Sequence, residues 1–195
     1  QALSAAKIWV ELDSDSILAH QTIAALLVSS NRVNEAQVYL NRLLDLEGDT
    51  AKFFMQLNNL LARSANKIET LQLVQQFAKP YSEVPEAHLA IAQAASLAGQ
   101  FETARQQMKL ALTLRPDWDM AAIYNGRLLR HHVSSESAIE FYESYLKINP
   151  KANKVRIAFA QMLVAEKSFI MARGQFKQLL AQSLGDANVA IAVGL

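Results

Sequence analysis

The chain repeats itself every 34 residues, and no other feature constrains its fold as strongly. The clearest copy is PEAHLAIAQAASLAGQFETARQQMKLALTLRPDW, from Pro85 to Trp118. Its apolar spacing predicts two amphipathic helices, roughly Glu86 to Ala98 and Gln100 to Leu114, joined by a turn at Gly99 and closed by Pro116. Neither helix can bury its apolar face alone. Sliding the sequence by 34 residues in either direction restores the pattern without insertion, so repeats begin at Ile17, Ala51, Pro85, Asp119, Asn153 and Ala187. Position 20, where the two helices of a repeat cross, reads Ala2, Ala36, Thr70, Ala104, Ala138, Ala172. Position 8 of the facing helix reads Ala24, Asn58, Ala92, Gly126, Ala160, Gly194. Large residues keep their own columns: Leu40, Val74, Met108, Tyr142, Phe176 at position 24, and Trp9, Leu43, Phe77, Ala111, Tyr145, Leu179 at position 27. Small against large at fixed spacing lets neighbouring helices interdigitate without voids.

These columns resemble those of the tetratricopeptide repeat (TPR). The resemblance implies an all-α fold, a right-handed α-solenoid of antiparallel helix pairs (the TPR superhelix), in which the first helix of each pair lines a concave face. On this reading residues 1–195 are a single array: a half repeat at 1–16, full repeats at 17–50, 51–84, 85–118, 119–152 and 153–186, and a truncated helix of a further repeat at 187–195. The half repeat and the uncapped apolar end ANVAIAVGL lead us to expect a fragment of a longer protein. Ser16 is the expected N-cap of the first full repeat, and Asn31 the turn residue suited to a left-handed backbone. Asn58 and Thr70 are expected to weaken the second repeat, and Asn125 departs from the usual apolar residue at position 7. The stretch AKPYSEVP, with Pro80 and Pro85, reads as the most linker-like segment and the place for a bend.

Composition narrows the function. A formal net charge of +1 argues against general nucleic-acid binding, which needs a concentrated basic face. With no cysteine, disulfides, zinc-thiolate sites and thiol nucleophiles are excluded, and both cytoplasm and periplasm stay open. No apolar run approaches the roughly 18 residues of a membrane span. No HExxH, glycine-rich phosphate loop or GxSxG is present, so neither an enzymatic role nor a cofactor is expected. His20 and His88 share position 4 two repeats apart, about 20 Å if each helical layer is about 10 Å thick. That is too far to share a metal, and each reads as a satisfied, partly buried imidazole. His131 and His132 read as solvated residues favourable at a helix C-terminus.

What remains is a surface. In the TPR pattern, positions 2, 5, 6, 9, 12 and 13 of the first helix point into the groove. Position 9 reads Ala25, Asn59, Gln93, Arg127, Gln161, a ladder of mostly amide side chains that suits the unpaired backbone of an extended peptide. Gln56 belongs to the same face. Met55, Leu89, Met120, Ile123, Tyr124 and Ile157 are expected to be exposed apolar residues around the ladder. Arg63, Arg127, Arg130, His131 and Lys154 add basic charge that would attract an acidic segment or a chain-terminal carboxylate.

The two-carboxylate clamp of TPR co-chaperones is absent. From the second repeat its positions read Met55, Asn59, Ala90, Met120 and Tyr124 where Lys, Asn, Asn, Lys and Arg are required. The segments KIWVELDSDS, AHQTIAALLVSSNRVNEAQVYL, LRPDW and FAQMLVAEKSFIMARGQFKQLL resemble long proteobacterial TPR lipoproteins of the outer membrane. That resemblance implies an adaptor bringing clients to a carboxyl-terminal processing protease in the periplasm. The sequence therefore predicts a non-enzymatic scaffold that binds a protein or peptide in its concave groove. The alternative is a structural spacer, or an arm that self-associates through exposed repeat ends.

Overall fold

The computed structural model describes residues 1–61 and 63–182, so the expected start of a further repeat at 187–195 lies outside the described residues. It divides into two compact units, Gln1–Leu114 and Arg115–Leu195. The first unit contains α1 (Ala2–Leu12), α2 (Ile17–Ser29), α3 (Val33–Glu47), α4 (Thr50–Leu61), α5 (Lys67–Ala78), α6 (Pro85–Leu97) and α7 (Phe101–Leu114). The second contains α8 (Asp119–His132), α9 (Ser135–Ile148), α10 (Asn153–Ala165) and α11 (Phe169–Gln182). No strand occurs among the described residues. The expected all-α class therefore holds, with helices arranged as hairpins. The linker-like stretch before Pro85 lies inside the first unit, where α5 packs on α6 across it. The two units divide between Leu114 and Arg115.

Within each unit the packing follows the columns. The pairs α2/α3, α6/α7, α8/α9 and α10/α11 make close hairpins, and first helices lie beside first helices, α2 against α4, α4 against α6, and α8 against α10. Ala36, Ala104 and Ala138 at position 20 are fully buried, as are Ala24, Ala92 and Ala160 at position 8. Leu40, Val74, Met108 and Tyr142 are buried at position 24. Trp9 departs from its column and is 38% exposed. Its helix α1 packs on α2.

In the α4/α5 hairpin Asn58 and Thr70 stand where other repeats carry Ala or Gly. Aromatic rings pack on one another in this repeat. Phe53 meets Phe77 at 5.7 Å and Phe54 at 5.4 Å between centroids, and Phe54 meets Tyr81 edge-on at 5.6 Å. Asn58 is not merely a weakening substitution, since its amide donates to the Ala90 carbonyl at 3.0 Å and to Gln93 Oε1 at 2.7 Å.

Turns repeat as well. Ser16 caps α2 through Ala19 N–H, and Ser134 caps α9 through Ser137 N–H at 3.1 Å. Position 15 is left-handed in three repeats, at Asn31 (φ 58°), Gly99 (φ 75°) and Lys167 (φ 58°). The first two residue types tolerate that backbone, whereas Lys167 carries a Cβ penalty there.

Position 4 has a role that its residue types do not reveal. His20 Nε2 donates to the Ser14 carbonyl at 2.9 Å, His88 Nε2 to the Ser82 carbonyl at 2.8 Å, and Arg156 Nη2 to the Pro150 carbonyl at 3.0 Å. Each closes the loop that enters its repeat from six residues upstream. In the fourth repeat, where position 4 is Ala122, the equivalent Pro116 carbonyl accepts from Asn149 Nδ2 at 3.0 Å. These bonds satisfy backbone acceptors at the repeat junctions that packing would otherwise strand.

Candidate partner-binding surface

The first unit presents Met55, Gln56, Asn59, Arg63 and Gln93 on or near the surface of its first helices, with Asn59 and Arg63 exposed and Met55 36% exposed. Leu89 is a correction. It is only 2% exposed, because α6 is covered by α4, α5 and α7 together, and even Glu86 at position 2 is buried. Some of the amides here pair with one another. Gln21 Nε2 approaches Gln56 Oε1 at 3.4 Å, and Gln93 Oε1 accepts from Asn58. Gln93 thus keeps its N–H groups and one of its two carbonyl lone pairs.

In the second unit, Arg127, Lys154 and Gln161 are exposed, Met120 is 42% exposed, and Ile123, Tyr124, Arg130 and Ile157 are half-buried. Three of the expected residues converge on a recess of about 200 Å³ between α8, α9 and α10, lined by Arg127, Arg130, Tyr142, Ala158, Gln161 and Met162. Arg127 and Arg130 lie one turn apart on α8, so their guanidinium groups face the same way. Met120, Ile123, Tyr124, Lys154 and Ile157 are not among its lining residues.

Sequence reasoning assigned Tyr142 to the core column and missed its second role as the floor of this recess. The signal was present at Gly126, the position-8 residue facing it. A Cβ on Gly126 would overlap the Tyr142 ring, so glycine there makes room for the largest side chain in the position-24 column. The ring stacks on Phe159, with centroids 5.2 Å apart, and its hydroxyl donates to the Ile123 carbonyl at 3.3 Å. Burial pushes the Tyr142 phenol up to about 12, against the opposing pull of Arg127 and Arg130, so it remains a neutral hydroxyl.

The two arginines differ in availability. Arg130 Nε donates to Glu166 Oε1 at 2.7 Å, while Arg127 makes no ion pair or hydrogen bond among the described residues. Hydrogen bonds from Arg130 and then Ser135 hold the Glu166 carboxyl below its ordinary range. Glu166 also caps the C-terminus of α10, an unfavourable place for an anion unless a cation faces it.

The histidines behave differently from one another. His88 uses both ring nitrogens, with Nδ1 at 2.7 Å from Gln107 Oε1, but His20 Nδ1 is buried without a partner, so His20 is only half satisfied. His131 and His132 are exposed in the last turn of α8. Among the described residues no three His, Cys, Asp or Glu side chains gather to hold a metal, and no helix is long and apolar enough to cross a membrane. A second, apolar recess of about 410 Å³ lies along α10 and α11, lined by Val164, Phe169, Ala172, Arg173, Phe176, Lys177 and Leu180, beside Ile170 at 91% exposure.

Comparison with known proteins agrees with this architecture. The tetratricopeptide repeat family model matches residues 85–117. No curated protein sequence matches the chain. Among solved structures, the chain is similar to yeast Tom70 (17% identity, TM-score 0.58, 98% of this chain and 41% of that one). It is similar to TTC0263, a thermophilic TPR protein of Thermus thermophilus (14% identity, TM-score 0.58, 92% and 97%). It is also similar to YrrB, described as a TPR protein with an unusual peptide-binding site (14% identity, TM-score 0.51, 100% of both chains). At these identities the likenesses establish the fold alone. Residues 85–117 thus match one tetratricopeptide repeat, and the chain shares its fold with these solved structures over almost its whole length.

Proposed function

We propose that the protein is a non-enzymatic scaffold that captures a peptide or protein segment on the surface formed by its first helices. The observation that carries this reading is the recess of the second unit, where exposed Arg127 and Gln161 meet above the neutral Tyr142 hydroxyl. An extended peptide offers backbone carbonyls to the amides and acidic groups to the guanidinium. The solved structure of YrrB, with its peptide-binding site, lends this reading support from the fold. The test is a random peptide library selected on the full chain. Peptides so obtained are expected to bind a folded Tyr124→Ala/Arg127→Glu variant at least tenfold more weakly; undiminished binding would place the capture surface elsewhere.

The finer reading makes this scaffold a periplasmic adaptor, attached to the outer membrane through its parent protein and delivering clients to a carboxyl-terminal processing protease. Its support is the resemblance in the segments quoted above. Cell fractionation checks it, with recovery in the cytosol as the contrary result. A second reading, self-association, is favoured by the apolar recess on α10 and α11. Light scattering tests it, since a dimer dissolved by Ile170→Glu is its expected sign.

A further inference from the structure

We infer that the recess of the second unit is a site for a single carboxylate, and that Glu166 acts as a built-in competitor limiting the charge it accepts. This inference rests on the groove reading in that the ligand approaches along the first helices. Two arginines line the recess, but the Arg130 guanidinium is already held by Glu166, so this pair is neutral and one positive charge remains at Arg127. A planar guanidinium matches a carboxylate through two parallel N–H donors, and the Gln161 amide supplies a further donor. The Tyr142 hydroxyl spends its proton on the Ile123 carbonyl and so does not add to the donor set. Ala158 and Met162 provide an apolar wall for the stem that carries the carboxylate. A volume of about 200 Å³ accommodates such a head and a short stem.

The competitor comes from an unusual placement. Position 14 reads Ser30, Ser64, Ala98, His132 and Glu166, so only the fifth repeat sets an acid at the end of its first helix. The helix dipole disfavours it there, and Arg130 together with Ser135 compensates. Arg130 is thereby withheld, and a dianion such as phosphate meets one cation where it would need two.

The experiment follows the arginine Nε–Hε resonances of the full 195-residue chain by NMR. Acetyl-glutamate amide probes a side-chain carboxylate, acetyl-leucine a chain-terminal carboxylate, acetyl-glutamine amide is the neutral analogue, and inorganic phosphate the dianion. Arg127 is expected to shift saturably with a carboxylate and not with the neutral amide. The tighter of the two carboxylates identifies the source of the ligand group. Arg127→Gln should abolish the carboxylate-induced shift of the Gln161 side-chain amide, and Glu166→Gln should tighten carboxylate binding at least threefold by releasing Arg130. Equal shifts with the amide, tighter binding of phosphate than of either carboxylate by the wild-type chain, or a folded Glu166→Gln variant with unchanged affinity would overturn the inference. The wild-type comparison needs no variant to fold. Failure is separable from that of the groove reading: library peptides that still bind Arg127→Gln, with no carboxylate shift at Arg127, would remove this site and leave the groove. A carboxylate shift alongside undiminished peptide binding to Tyr124→Ala/Arg127→Glu would do the reverse.

Discussion

The two units use the same repeat to make surfaces of opposite character. In Gln1–Leu114 several polar side chains of the first helices pair across repeats, with Gln21 against Gln56 and Asn58 bridging to Gln93 and the Ala90 carbonyl. In Arg115–Leu195 the corresponding ladder opens a recess in which Arg127 and Gln161 stay exposed while Arg130 is tied to Glu166. A column of side chains one repeat apart thus yields either an internal tie or an open donor. Neighbouring columns decide which: Asn58 at position 8 occupies Gln93, whereas Gly126 at position 8 admits Tyr142 and leaves Arg127 above it.

The largest effect should come from what both units share, the buried small residue at the helix crossing. Ala104→Arg would wedge α6 from α7 and bury a charge, costing about 3 kcal/mol or more in a urea melt. A loss no greater than that of a surface change would refute the register. Next is the feature peculiar to the second unit. Gly126→Ala should cost about 1–3 kcal/mol by overpacking against Tyr142, and Tyr142→Leu in the same chain should make the two losses less than additive. Strict additivity would mean that the glycine does not exist to house the ring.

The comparison is sharpened by the tie of the first unit. Asn58→Ala should cost about 1 kcal/mol, consistent with losing the bonds to Ala90 and Gln93. A gain in stability would show that Asn58 is the flaw its column suggests. Smallest is a stabilisation: Lys167→Gly relieves a left-handed backbone and should raise stability by about 1 kcal/mol or less, read as a rise in melting temperature. The same change at Gly99 has no counterpart, since that position already carries glycine.

Much of the fold was legible because a fixed period leaves little freedom. The helix ends near Pro85 and Leu114, the cap at Ser16 and the left-handed turn at Asn31 all follow from residue type and spacing. The candidate site was legible in part. Arg127, Arg130 and Gln161 were read from their columns and do converge, whereas Leu89 was read as exposed and is buried. A place in a column does not fix burial: Leu89 is 2% exposed, whereas Met55 at the same position one repeat earlier is 36% exposed.

By itself, the sequence determined the class of structure, the register of each helix pair and the residues that meet at each crossing, because burying one apolar stripe per short helix permits few other solutions. The tertiary structure alone decided which polar side chains are free. Availability depends on pairs distant in sequence, Asn58 with Gln93, Arg130 with Glu166, Gly126 with Tyr142, whose meeting is set by the packing of one repeat on another or of two helices on each other. Side chains of one type in one column look alike in the sequence, and only the partner each one finds in space separates a donor left open from one already spent.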